Sequence, residues 1–364
     1  MRIGIDAHML GDRSGGNESF YRGILSGIKP DQGDEYYIFV RPGVDASEYQ
    51  DRYHVVYFKS GSSIYRNCIE LSKLCREYKI DVLHTQYYLP IFCPCKSVVT
   101  IHDLSFEHIK DIFTKKEYIK DKLLVSHAAR KADTVVTVSE FSKQDIIDTY
   151  KVDASKIEVI YNAVGPEFCA LPSQDERRGA VRAEFGLSDD KYLLCVGNLQ
   201  PRKNIPRLIM AFDKYIKDNN ADCKLVIVGK KAWMYEEIEK YVSDNKDKVI
   251  LTDYVSTKVL VELLNEAKGF IYPSIFEGFG IPPLEALCCG TPVAASDIPV
   301  IREVLGDNIV YFDPFNVDDM ASAIRTLMEG DCSVDGAITG RYSWKKSADK
   351  LKEVYHKTYT GELA

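Results

Sequence analysis

The sequence predicts an α/β protein built from two doubly wound parallel-sheet domains in series. Three observations lead there. Its 364 residues exceed the size at which one hydrophobic core stops growing, which is about 250–300 residues. Short apolar runs alternate with segments of helical spacing, the pattern of parallel strands joined by crossover helices. The alternation runs twice, and between the two series lies a connector of turn chemistry, Asn162-Ala-Val-Gly-Pro-Glu-Phe168. The expected division is 1–164, 165–341 and a closing helical segment at 342–364.

Composition narrows the function. Hydrophobic residues make up 45% and charged residues 28%, ordinary for a water-exposed globular chain. A net charge of −7 speaks against nucleic-acid binding, which calls for a basic surface. The start, Met1-Arg-Ile-Gly-Ile-Asp6, reaches an acidic residue too soon for a signal peptide, and no apolar run approaches the ~20 residues that span a bilayer. Of the ten cysteines, the closest groupings are Cys93-Pro-Cys95, Cys288-Cys289 and the pair Cys68 and Cys75. None has the paired spacing of a zinc site, so reduced thiols and a cytoplasmic location are expected.

The first series opens with a strand at 2–7, a polar turn at 8–17 and a helix at 18–28. Gly15 and Gly16 lie in that turn, where backbone N–H groups can approach a phosphate unobstructed. A plain tight turn would look the same. Strands follow at 36–41 and 53–58, a helix at 62–78, and strands at 81–85 and 97–101. His102-Asp103 comes directly after the last of these, at the carboxyl end where such sheets place ligands; a capping Asp beside a satisfied histidine is the alternative. Residues 115–131 are helical and basic, with six Lys or Arg against Glu117 and Asp121. That is either a solvated face or a helix lying on an anionic membrane. Strands at 134–139 and 157–161 complete the series, with Ser139 as an N-cap between them.

The second series begins with a strand at 192–196, the loop Gly197-Asn-Leu-Gln-Pro-Arg-Lys-Asn204 and a helix at 206–217. Arg202 and Lys203 therefore sit at a carboxyl strand end leading into a helix, where a bidentate fork and a movable ammonium suit a diphosphate. Strands at 224–228 and 249–251 precede the stretch 269–292. There a buried strand at 269–272 gives way to a glycine-bearing loop, then to a helix opened by Pro282-Pro283 and closed by Gly290. This is the arrangement by which α/β sheets make anion sites. Yet Glu277 lies in the loop and Glu285 near the end of the first helical turn. Carboxylates at such a place suit a ligand carrying hydroxyls beside its phosphates. Strands at 292–295 and 309–312 and helices at 317–328 and 344–359 finish the chain.

Glu277 and Glu285, with seven residues between them in EGFGIPPLE, resemble the paired-glutamate signature of the retaining glycosyltransferases of family 4, two-domain enzymes of the GT-B fold. VGNLQPRKN and THDLSF resemble further segments of that family, and the likeness extends over nearly the whole chain. The resemblance implies two Rossmann-like domains facing a cleft, the first binding the acceptor and the second the nucleotide sugar, with the closing helix crossing back to the first. It implies donor contacts from Gly15, Gly16, Asn198, Gly278, Phe279, Gly280 and Ile281. Tyr254-Val255 would line the nucleobase pocket, and Glu285 would hold ribose hydroxyls. Glu277 would hold the transferred sugar, His102 would border it, and residues 115–131 would meet a lipid-linked acceptor at the inner membrane face.

The expected activity is retaining transfer of a hexose from a nucleotide-diphosphate sugar to a glycan or lipid-linked glycan. His102, Arg202, Lys203 and Glu277 carry it, with no cofactor beyond the co-substrate. No D-x-D falls in a strand–loop setting and side chains already supply cations, so no metal is expected. Two alternatives stand beside it. A sugar-nucleotide epimerase or hydrolase on the same fold would need no acceptor. A non-enzymatic sugar-binding protein would need the glutamates but not Arg202 and Lys203.

Overall fold

A computed structural model describes residues 1–12, 15–110, 113–172, 174–175, 179–187, 191–230, 235–307, 309–330, 338 and 340–362. Positions 13–14 of the predicted polar turn lie outside this set. The chain forms two compact units, Met1–Ala163 with Tyr342–Ala364, and Val164–Arg341.

In the first unit, β1 (Arg2–Asp6), β2 (Glu35–Val40), β3 (His54–Tyr57), β4 (Val82–Gln86), β5 (Lys96–Thr100), β6 (Thr134–Thr137) and β7 (Ile157–Val159) form one parallel sheet in the order β3-β2-β1-β4-β5-β6-β7. The chain moves outward from β1 to β3, returns to the middle, and moves the other way from β4. Helix α1 (Gly16–Gly27) starts two residues earlier than its spacing suggests, because Gly15, at φ 78°, serves as N-cap. The helix predicted at 62–78 is α2 (Ser63–Tyr65), a π-helical turn Arg66–Glu70, and α3 (Leu71–Glu77). A short α4 (Ser105–His108), not foreseen from spacing, precedes α5 (Lys115–Lys131), which Thr114 and Glu117 cap reciprocally. Helix α6 (Glu140–Tyr150) follows Ser139, whose side chain accepts from the Ser142 N–H.

The second unit repeats the scheme. After α7 (Ala180–Glu184) come β8 (Tyr192–Val196), α8 (Ile205–Asn219), β9 (Lys224–Val228), α9 (Tyr235–Asp244), β10 (Val249–Leu251) and α10 (Thr257–Glu266). They are followed by β11 (Gly269–Tyr272), α11 (Ile281–Cys288), β12 (Val293–Ser296), α12 (Pro299–Leu305), β13 (Val310–Phe312) and α13 (Val317–Glu329). The parallel sheet runs β10-β9-β8-β11-β12-β13, so the order reverses between β8 and β11. Strand side chains such as Leu193, Leu225, Ile227, Ile271 and Ala294 are buried on a sheet that helices cover, which explains apolar runs without alternation.

The last helix, α14 (Trp344–Thr360), belongs to the first unit. Small residues on α1 let it in: a Cβ on Gly23 would meet the Trp344 ring at 2.1 Å, and one on Gly27 would meet the Trp344 carbonyl at 2.6 Å. Some of its polar contacts are fully buried. Tyr355 OH lies 2.7 Å from His84 Nδ1, Thr100 Oγ1 takes His84 Nε2 at 2.7 Å, and Thr358 pairs with Thr134. Burial pushes His84 down to about 3, with His102 adding to the effect, so it is a neutral strut.

Candidate active site

The strand-order reversal between β8 and β11 is where an open α/β sheet leaves a crevice at its carboxyl edge, and the loops on either side carry the site of the second unit. After β8 the chain passes Gly197 and Asn198 and enters a 3₁₀ turn, Pro201–Lys203, before α8. Asn204 makes the junction in the left-handed region, φ 57°, and donates from Nδ2 to the Pro314 carbonyl at 2.7 Å. Gly229, just past β9, has no room for a side chain: a Cβ there would stand 2.0 Å from the Gly197 carbonyl. The Leu199 N–H donates to the Lys230 carbonyl and the Gly229 N–H to the Asp253 carbonyl, tying the loops after β8, β9 and β10 together.

The loop after β11 brings Glu277 to Arg202 and Lys203. Lys203 Nζ donates to Glu277 Oε1 at 2.6 Å and to Tyr272 OH at 2.8 Å. Arg202 Nη1 lies 2.8 Å from Glu277 Oε2 and donates to the Phe276 carbonyl at 3.0 Å. With its amide turned to satisfy both groups, Gln200 accepts from Arg202 Nε and Nη2. The Ile275 N–H returns a hydrogen bond to the Arg202 carbonyl, so backbone and side chain alike join the two loops.

Burial by itself raises the Glu277 carboxyl, but Arg202 and then Lys203 outweigh it and bring it to about 2. Burial and Arg202 lower Lys203 from its ordinary value, opposed by Glu277. With Glu277 ionised, two cations and one carboxylate leave the cluster a single net positive charge in a mostly desolvated place.

Beyond Glu277, Gly280 holds the N-cap of α11 at φ 93°, and a Cβ there would meet Ile301 Cδ1 at 2.7 Å. Phe279 and Ile281 are buried. Pro282 and Pro283 supply no N–H, so in the first turn only Ile281 can offer one outward. Glu285 sits at the fifth helical position, close to its expected place near the end of the first turn, since α11 starts at Ile281. Burial pushes its carboxyl up to about 8, and the nearby Glu167 adds to the rise. Val255 is half-buried and follows Tyr254, which is 50% exposed beneath Lys230 Nζ.

The other predicted residues belong to the first unit. Gly15 and Gly16 open α1 at the surface, with open space where a Gly16 Cβ would go. His102 is 6% exposed, packed edge-on to Phe20 at 5.1 Å, and its Nε2 is buried with no hydrogen-bond partner. Burial lowers it to about 4, partly countered by Asp103, which fixes a neutral imidazole. Sequence reasoning passed over Tyr272 and Gln200, which hold the two cations, and Asp6 and His8. The apolar run 269–272 offered no sign that its tyrosine ends on a lysine.

Residues 29–168 match the family described as Glycosyltransferase Family 4, and residues 178–351 that described as Glycosyl transferases group 1. The O-antigen chain mannosyltransferase RfbU of Salmonella typhimurium is 34% identical over 248 residues, 68% of this chain and 64% of that protein, so the match spans just under two thirds of it. The O-antigen chain mannosyltransferase B of Escherichia coli is 30% identical over 267 residues, 70% of this chain and 67% of that protein. Among solved structures, Anabaena Alr3699/HepE in complex with UDP and glucose superposes with a TM-score of 0.76 at 17% identity, over 98% of this chain and 100% of that one. The fold is that of the two-domain GT-B glycosyltransferases. The chain belongs to glycosyltransferase family 4.

Proposed function

We propose that the protein transfers a hexose, with retention of anomeric configuration, from a nucleotide-diphosphate sugar to a glycan or lipid-linked glycan. The observation that carries this reading is the Arg202–Lys203–Glu277 cluster at the strand-order reversal of the second unit. Its net positive charge is fixed in place before any ligand arrives, which is how an active site stabilises charge developing on a departing diphosphate. Glu277 then has a second task, accepting from hydroxyls of the transferred sugar while it holds both cations in register. Glu285 is poised near neutrality, and ribose hydroxyls donating to it would favour the ionised form. Gly278, Phe279, Gly280, Ile281 and Asn198 would line the phosphates, Val255 the base, and Gly15, Gly16 and His102 would serve from the first unit.

The mannosyltransferase relatives make mannose the first sugar to test and an O-antigen-type polysaccharide the first acceptor class. Side-chain cations supply the charge that a metal would otherwise bring, so the reaction is proposed to proceed without one. Peripheral membrane contact through α5 is part of the same reading. Ile119 and Leu123 are 55% and 66% exposed on that basic helix, and no described helix is long and apolar enough to cross a membrane.

The test is the melting temperature of the purified chain with UDP, GDP, dTDP or ADP in EDTA. A ligand bound only by the folded state raises it by mass action. A shift selective for one diphosphate and lost in Arg202→Ala is the expected result. No shift with any of the four would sink the reading.

A further inference from the structure

The first unit has its own strand-order reversal, between β1 and β4, and the chemistry standing there is Asp6 and His8. Asp6 is 2% exposed, and its Oδ1 accepts from the His8 backbone N–H at 3.3 Å and lies 2.9 Å from His8 Nδ1. Burial opposes ionisation of Asp6, but His8, through charge and hydrogen bonds, and Arg66 outweigh it and hold the carboxyl below its ordinary value. A carboxylate against Nδ1 requires the proton there, which leaves the neutral ring's lone pair on Nε2. That nitrogen has no partner among the described residues, and the side chain keeps 15% exposure. The other two histidines of this region differ: His84 uses both ring nitrogens internally, and His102 Nε2 is sealed from the surface.

The turn that carries His8 is braced. The Leu10 N–H donates to the Ala7 carbonyl at 3.1 Å, and the Gly11 N–H to Glu18 Oε1 at 3.0 Å, with Gly11 in the left-handed region at φ 73°. Arg22 holds Glu18 in turn. On the neighbouring strand, β4 ends at Gln86, whose Nε2 donates to the Asn17 carbonyl while its buried Oε1 has no partner. Gln86 Oε1 is as sealed as His102 Nε2, so the reachable acceptor is His8 Nε2. An exposed acceptor lacking a donor, beside an ionised carboxylate, suits a ligand that donates hydrogen bonds and carries no negative charge. Sugar hydroxyls have that chemistry; phosphates do not.

We propose that His8, oriented by Asp6, binds a hydroxyl of an uncharged acceptor sugar through Nε2. The proposal rests on the glycosyl-transfer reading and names the residue at which the first unit takes its acceptor.

The experiment follows the histidine ring nitrogens by NMR in the ¹⁵N-labelled full chain, the His8 signal being assigned by its loss in His8→Ala. Methyl α-D-mannopyranoside and methyl α-D-glucopyranoside are the probes, and inorganic phosphate is the charged control. The expected result is a protonated Nδ1 and a bare Nε2, whose signal moves with a glycoside and not with phosphate. Asp6→Asn abolishes the response, and His8→Ala keeps the diphosphate-induced melting shift of the wild type. A protonated Nε2, a response to phosphate instead, or no response to either glycoside overturns the proposal. A glycoside response in a wild-type protein that binds no nucleoside diphosphate would overturn the transfer reading and leave the sugar site standing.

Discussion

Lys203 Nζ and the Glu277 carboxylate stand 2.6 Å apart across 74 residues of chain, and both are mostly buried. Removing one partner of such a pair leaves a desolvated charge, at a cost of about 3–5 kcal/mol. Lys203→Ala is therefore expected to destabilise the second unit on that scale in urea unfolding. In the double variant Lys203→Ala/Glu277→Gln, part of the loss should return. Strict additivity would mean that the two side chains do not interact.

Glu277 and Glu285 should mark stability at opposite ends of the pH scale. Glu277 titrates at about 2, below its unfolded value, so its contribution is present above the ordinary carboxylate range near 4.5 and is lost as pH falls toward 2. Glu285 is raised to about 8, so its contribution is present below about 4.5 and is lost as pH rises through 8. Melting temperature against pH should flatten below about 4.5 in Glu277→Gln and between about 4.5 and 8 in Glu285→Gln. Curves parallel to wild type would refute the assignments.

Gly23→Val places a side chain where the Trp344 ring already lies. Overpacking of this kind costs about 1–3 kcal/mol, and the strain falls on the contact between α1 and α14. The expected outcome is early cleavage near α14 in limited proteolysis, with diphosphate binding retained in the second unit.

The α5 surface should bind vesicles containing anionic lipid, in a salt-sensitive manner. Ile119→Ser with Leu123→Ser removes exposed apolar area and should weaken sedimentation with vesicles. Lys116→Gln should cost about 1 kcal/mol, roughly fivefold, if that lysine faces the anionic surface. Equal binding by all variants would assign α5 to solvent.

Much of the architecture was legible because parallel strands buried on both faces read as uninterrupted apolar runs, as in residues 192–196 and 269–272. The position of Arg202 and Lys203 followed from strand, loop and helix in sequence. What joins them to Glu277, Tyr272 and Gln200 did not, because hydrogen bonds between loops at a strand-order reversal leave no periodicity. The place of Glu285 near the end of the first turn was legible, because Pro282 and Pro283 mark where α11 begins; the burial that raises its carboxyl was not. Asp6 and His8 are two residues apart, yet spacing alone gave only a strand end and a turn. The hydrogen bond that makes them a pair depends on how that turn is folded.

The return of α14 to the first unit also sets an order of events during synthesis. The first unit cannot finish its interior until Ala348, Leu351 and Tyr355 have emerged, since these side chains are fully buried within it. The second unit is complete by Arg341 and can close while those residues are still being added. Until the last helix arrives, His84 lacks its Tyr355 partner and the flank of α1 at Gly23 and Gly27 stands bare. The half of the protein translated first is thus the half whose interior closes last.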